Sequence, residues 1–252
     1  MKTNIESELE KAWIKKLSDW INKNNINPVW KKPRNASKNK AYDISKKIKR
    51  LLKMKGLNLV NNQLTEIPKE IGNLTNLKFL NLNNNQLIEL PKEIGNLTNL
   101  ESLSINQNQL TKIPKEIGNL SNLKRLSIVN NQLTEIPKEI GNLTNLTYLE
   151  LRGNKLVKLP KELMKLVNLR KFLVSDNQLT DLPDGFDNLI HLIGLGLGYN
   201  QLKTLPSEIV NLQNLTYLNL KNNKLILTSS EKEWIVNLQK LGSDIEITKD
   251  YC

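Results

Sequence analysis

The chain is expected to fold as an α/β solenoid. This would be a curved horseshoe with eight parallel strands on its concave face, short helical or 3₁₀ turns on its convex face, and a helical N-terminal cap. Two observations predict that class. Seven prolines, Pro68, Pro91, Pro114, Pro137, Pro160, Pro183 and Pro206, stand 23 residues apart without a slip, and a fixed period of this length marks a stack of identical units. Aligned on them, the chain gives eight copies of Lxx-L-x-L-xx-N-x-L, starting at Met54, Leu77, Leu100, Leu123, Leu146, Leu169, Leu192 and Leu215. A stack of this kind works through the surface it displays rather than through an enclosed pocket.

Each element has its own reason. In the second copy, Leu80 and Leu82 alternate as a half-buried strand requires. The column Asn62, Asn85, Asn108, Asn131, Asn154, Asn177, Asn200 and Asn223 follows the strand, where an amide can satisfy backbone groups of a tight turn. Next comes LTEIPKEIGNL in its cleanest copies. Pro68 suits the first helical position and Gly72 a left-handed stop, with Lys69 and Glu70 as a solvated outer face. A second column, Asn76, Asn99, Asn122, Asn145, Asn168, His191 and Asn214, is read as structural, His191 included.

Both ends read as caps, dividing the chain into 1–53, 54–228 and 229–252. In the first segment Ile5, Leu9, Trp13, Leu17 and Trp20 or Ile21 mark an amphipathic helix, with Thr3 and Glu6 as its cap. A polar loop follows from Asn24 to Lys40, then a second helix through Ile44, Ile48 and Leu51, with the tryptophans as packing anchors. At the other end, Ser230 and Glu233 suggest a capping box, Trp234, Leu238 and Leu241 a buried helical face, and Gly242 a stop. Residues 244–248 alternate like a last strand that would close the open edge.

The net charge of +12 is unevenly placed. Residues 1–53 carry 15 Lys/Arg against 5 Asp/Glu, and the remainder is nearly balanced. The basic stretch through Lys31, Lys32, Arg34, Lys38, Lys40, Lys46, Lys47, Lys49 and Arg50 leaves open a role in binding nucleic acid or an anionic membrane surface. A solvated, lysine-rich cap is the plainer reading. One His and one Cys supply neither a zinc constellation nor a nucleophilic triad. No enzyme, cofactor, metal or small-molecule substrate is therefore expected. The first residues show no apolar leader run, and Cys252 has no disulfide partner. These points favour a cytoplasmic setting, with signal-independent export left open. The N-x-[ST] sequons at Asn73, Asn96, Asn119, Asn142 and Asn214 fall in repeat columns and are read as structural.

The stretch LTEIPKEIGNLTNLKFLNLNNNQL, residues 64–87, resembles the 23-residue leucine-rich repeat of the Ras-suppressor type. The resemblance covers residues 54–228, and the Asn- and Lys-heavy, nearly identical copies look bacterial. The segment WINKNNINPVWKKPRN, residues 20–35, is similar to segments preceding such repeats in uncharacterised bacterial proteins. The family implies a curved solenoid that binds proteins on its concave face. It leaves open a scaffold acting in its own cell or a bacterial effector aimed at a host. The chain departs from the bacterial effector ubiquitin ligases, whose repeats are shorter and whose cysteine-bearing ligase domain it lacks.

Strand residues flanking the buried leucines should face the concave side. The first such column reads Gly56, Phe79, Ser102, Arg125, Tyr148, Lys171, Gly194, Tyr217, and the next Asn58, Asn81, Ser104, Ser127, Glu150, Leu173, Gly196, Asn219. Early repeats offer mostly Asn and Ser. Later ones offer Arg125, Tyr148, Glu150, Arg152, Lys171 and Leu173, with Tyr199 at the rim and Lys221 in the last repeat. Gly194, Gly196 and Gly198 together suggest a bare backbone strip open to close approach. The expected partner is a protein or peptide across repeats four to eight. Tyr148 and Tyr217 would be its anchors, Arg125, Arg152 and Lys171 would pair with acidic groups, and Phe79 would add exposed aromatic surface.

Overall fold

A computed structural model describes residues 4–24 and 51–247. Its order is α1 (Asn4–Lys23), a helical stretch over 51–53, then β1 (Gly56–Asn58), β2 (Phe79–Asn81), β3 (Ser102–Ser104), β4 (Arg125–Ser127), β5 (Tyr148–Glu150), β6 (Lys171–Leu173), β7 (Gly194–Gly196) and β8 (Tyr217–Asn219). Helix α2 (Ser229–Lys240) and β9 (Asp244–Glu246) follow. All nine strands form one parallel sheet in chain order, and β1 to β8 pair in a register that advances by one repeat. The ninth strand is the expected edge-closing element, paired with β8. The polar loop from residue 25, the second helix before Leu51, and Thr3, Thr248 and Cys252 lie outside the described residues, as do the side chains of Ile5, Glu6 and Leu9.

A continuous leucine core runs from Leu17 to Leu238. Each fully buried leucine contributes about 1.5–3 kcal/mol, and every repeat supplies several. The asparagine column joins one repeat to the next. Asn85 Oδ1 accepts from the N–H groups of Asn62 (3.1 Å) and Leu64 (3.0 Å), and its Nδ2 donates to the carbonyls of Leu59 (2.8 Å) and Leu82 (2.9 Å). The outer column is linked more simply: Asn99 Nδ2 donates to Thr75 O and Asn122 Nδ2 to Thr98 O, both at 2.9 Å. His191 occupies its place in this column exposed and without that bond.

The convex turns are 3₁₀, and three expectations about them need correcting. Pro68 precedes the turn Lys69–Asn73 in an extended conformation, and its carbonyl, not its ring, opens the turn by accepting from Ile71 N (3.0 Å). Gly72, Gly95, Gly118 and Gly141 do not take left-handed φ; they are small because a neighbour is close. A Cβ on Gly72 would lie 2.4 Å from the carbonyl oxygen of Glu93 in the next repeat. The fifth repeat inverts the pair: Met164 stands at the glycine position and faces Gly185, which replaces the facing glutamate, its Cβ 3.6 Å from where a Cβ on Gly185 would lie. The turn glutamates are not a solvated face either. Glu93, Glu116 and Glu139 are half-buried, and Glu70 is buried beneath α1, 3.7 Å from Lys16 Nζ.

The caps are built differently. Helix α1 buries Ile14, Leu17, Trp20 and Ile21, and closes on Leu51, Leu57 and Leu74 with a gap of only about 10 Å³. Among the described residues Trp20 Nε1, buried there, has no hydrogen-bond partner. At the other end Trp234 Nε1 donates to Leu212 O (3.2 Å). The capping box is set two residues before the expected pair. Thr228 Oγ1 accepts from Glu231 N (3.3 Å), and Glu231 Oε2 accepts from Thr228 N (2.7 Å). Helical phase then buries Trp234, Ile235 and Leu238, and leaves Leu241 exposed. Gly242 ends the helix with φ +82°.

Candidate recognition surface

Parallel register sets Arg125, Tyr148, Lys171, Gly194 and Tyr217 side by side, and does the same for Ser127, Glu150, Leu173, Gly196 and Asn219. The alternation that buries Leu126, Leu149 and Phe172 puts both rows on the concave side.

Glu150 is the buried centre of this face. It accepts from Tyr148 Oη (2.7 Å) and Arg152 Nε (2.8 Å), and Ser127 Oγ lies 3.1 Å from its second oxygen. The Arg125 guanidinium sits 4.2 Å from the centroid of the Tyr148 ring, a cation–π arrangement. Burial, followed by the bond to Glu150, pushes the Tyr148 phenol up to about 12. Arg152 is thus engaged by Glu150 within the chain, and Lys221 lies 3.6 Å from Glu246.

Over repeats four to eight the face encloses a hollow of about 830 Å³. Of the sequence-selected residues, Tyr148, Glu150, Arg152, Lys171, Leu173, Tyr199 and Tyr217 line it together. Arg125 reaches it only through the Tyr148 ring. Lys221 and Phe79 are not in the lining, and Phe79 is 54 % exposed on β2, at the far end of the sheet. Asp176, Val129 and Asn219 also line the hollow, and none was selected from sequence. Asp176 stands three residues beyond Leu173, outside the two columns read from the strands.

The expected bare glycine strip is covered. Gly194, Gly196 and Gly198 are all buried. A Cβ on Gly194 would lie 3.3 Å from Lys171 Cγ, one on Gly196 3.0 Å from Leu173 Cδ2, and one on Gly198 2.2 Å from Asn219 Oδ1. Side chains of repeats six and eight lean over a floor that only glycine leaves low enough.

The residue after each strand's third outward position takes left-handed φ in every repeat: Asn61, Asn84, Gln107, Asn130, Gly153, Asp176, Tyr199 and Asn222. Asn, Asp and Gly adopt this conformation at little cost, whereas a bulky residue there is an outlier. Tyr199 holds φ 54° with its side chain 51 % exposed at the edge of the hollow. Strain of this kind, of order 1–3 kcal/mol, concentrates where a site needs it.

Elsewhere on the sheet the polar groups satisfy one another. Lys78 and Lys124 hold Glu101 at 2.6 and 3.0 Å, and those bonds keep its carboxyl below the usual range. Among the described residues no group of three or more His, Cys, Asp or Glu is placed to hold a metal, and no helix is long and apolar enough to cross a membrane.

An open, unclosed stack displaying a parallel sheet defines a repeat scaffold. The chain belongs to the leucine-rich repeat family: residues 34–146 and 115–192 match a leucine-rich repeat region, and 167–225 and 214–238 match further leucine-rich repeat units. Comparison with curated proteins finds no match. Among solved structures, it is similar to a leucine-rich repeat protein of Leptospira interrogans, with 44% identity over 76% of this chain and a TM-score of 0.71. This chain spans about half (49%) of that protein's length. It is also similar to an internalin of Listeria monocytogenes, with 28% identity over 78% of this chain and 61% of the internalin, and a TM-score of 0.59. A third similar structure is the Arabidopsis receptor kinase HAESA, solved in complex with a peptide hormone and a co-receptor. There the identity is 35% over 69% of this chain and 30% of the kinase chain, with a TM-score of 0.62.

Proposed function

We propose that this chain is a non-enzymatic module that takes a protein or peptide on its concave face, across repeats four to eight. The observation that carries the reading is the hollow lined together by Tyr148, Tyr217, Tyr199, Leu173 and Lys171. Tyrosines bury area while keeping a polar handle, the combination enriched at binding hot spots. Binding of a peptide hormone by the similar receptor kinase supports a peptide-sized partner in general terms.

The test uses Tyr217→Ala and Leu173→Ala, because Tyr148 and Arg152 hold Glu150 and their loss would disturb the fold as well. A partner captured by the intact chain is titrated calorimetrically against both variants and against Ser104→Ala on the early sheet. Each late substitution should weaken binding by about 1–2 kcal/mol, and Ser104→Ala should leave it unchanged. Equal affinity for all four chains would remove the hollow from consideration.

A further inference from the structure

Four ionic side chains line the hollow: Glu150, Arg152, Lys171 and Asp176. The first two are joined to each other. Lys171 and Asp176 carry opposite charges, and among the described residues neither side chain has an ionic or hydrogen-bonding partner. They belong to one repeat, yet stand at its two margins. Lys171 opens β6, and Asp176 follows five residues later in the left-handed turn. The five-residue step from strand to turn separates them by at most roughly 16 Å along the strand direction.

Each charge has a neighbour that turns it into a subsite. The Lys171 stem runs over Gly194, its Cγ, Cδ and Cε 3.3, 3.8 and 3.9 Å from where a Cβ would be. It lies in register between Tyr148 and the glycine that precedes Tyr217. Asp176 lies in the rung beside Tyr199: Asp176 N donates to Gly198 O (2.9 Å) and Asn177 N to Tyr199 O (3.1 Å). A carboxylate beside an exposed aromatic face suits a lysine or arginine side chain, through ion pairing and cation–π attraction together. The cost of holding Tyr199 at positive φ then has a use.

Resting on the concave-face reading, we infer that the occupant is an extended peptide segment of mixed charge. It crosses the sheet along the strand direction, placing an acidic side chain against Lys171 and a basic one against Asp176 and Tyr199. The two margins fix its direction, and a segment of uniform charge is rejected at one of them.

Fluorescent peptides about nine residues long, which span the gap at about 3.3 Å per residue, test this. Each has a neutral Gly/Ser/Tyr frame carrying Glu and Lys about three to six positions apart, in either order; all-Glu, all-Lys and uncharged frames are the comparisons. Anisotropy is read at low ionic strength, because exposed charges are screened beyond about 10 Å at 0.1 M salt. The intact chain should prefer mixed peptides, and one order over the other, by about three- to fivefold per exposed pair. Lys171→Gln and Asp176→Asn should each remove one factor; the second restores the residue type its column carries at Asn61, Asn84 and Asn130. The exchange Lys171→Glu/Asp176→Lys should reverse the preferred order. Binding indifferent to charge and order, yet weakened by Tyr217→Ala and Leu173→Ala, overturns the mixed-charge peptide and leaves the docking site standing. Binding indifferent to all these substitutions overturns both.

Discussion

Repeats two to four and repeats five to eight share a backbone frame but shape their outward faces differently. In the early half, Asn83 Oδ1 accepts from Ser104 Oγ (2.8 Å) and Asn106 N (2.7 Å), and Asn106 Oδ1 accepts from Ser127 Oγ (2.9 Å) and Val129 N (2.8 Å). That surface is a ladder of polar groups already paired. A partner would have to break these bonds to replace them, so the net gain per bond is small. In the late half glycines lower the floor, aromatic rings stand at its sides, and among the described residues Lys171 and Asp176 have no ionic or hydrogen-bonding partner. Composition alone, polar in both halves, would not separate them. What separates them is the glycine floor of repeat seven and the charged pair Lys171 and Asp176 that lines the hollow above it.

The largest expected effect tests whether the frame really is common to both halves. Asn108 accepts from Leu87 N (3.0 Å) and donates to Leu82 O (3.0 Å), and Asn177 accepts from Leu156 N (3.0 Å) and donates to Leu151 O (3.0 Å). Alanine at either position strands buried donors and acceptors and should cost about 3 kcal/mol, at about 1–3 kcal/mol for each group left unsatisfied. Urea midpoints for the two variants should agree. A clearly smaller loss for Asn177→Ala would mean that the late half is the looser structure, and the contrast would be one of rigidity rather than of surface.

That common frame was the legible part of the sequence. A 23-residue period forces leucine, asparagine and proline into columns whose spacing alone gives strand, turn and register. The strand columns also named five of the residues that line the hollow, and the reading of the rim and third outward positions added Arg152 and Tyr199. Features hidden from them depend on contacts between repeats, not on positions within one. Gly72 looks like a helix stop until the Glu93 carbonyl is seen 2.4 Å from its missing Cβ. The glycines of β7 look bare until Lys171, Leu173 and Asn219 are seen leaning over them. Asp176 looks like one more turn residue until its carboxylate is found, without a partner among the described residues, in the rung beside Tyr199. Capping at Thr228 rather than Ser230 was a choice between two hydroxyls three residues ahead of a glutamate, Glu231 or Glu233. Helical phase decided it, by bringing Trp234, Ile235 and Leu238 to the core.

A smaller effect would sharpen the contrast at its rim. Replacing Tyr199 by Asn, the residue its column carries at Asn61, Asn84, Asn130 and Asn222, relieves a bulky side chain from left-handed φ. Thermal unfolding should report a gain of about 1 kcal/mol, the lower end of the range for such strain. Binding of the mixed-charge peptide should fall at the same time. A variant neither more stable nor weaker in binding would make Tyr199 an incidental rim residue.

The smallest effect leaves neutral-pH behaviour untouched and asks only whether the centre of the late face is as internally engaged as its geometry says. Tyr148 lies partly buried with its hydroxyl on Glu150, and its phenol is raised to about 12 from an ordinary value near 10. Because the folded state holds this proton more tightly than the unfolded chain, the contribution is fully present below about pH 10 and is lost as pH rises towards 12. In an ultraviolet titration, the difference between the intact chain and Tyr148→Phe should therefore be a phase above pH 10 that extends towards 12. If the phase lost in Tyr148→Phe lies near the ordinary value of about 10, Tyr148 is not committed to Glu150. Arg152 would then become as free to meet a partner as Lys171, and the charge that selects the partner would shift from the margins of the hollow to its centre.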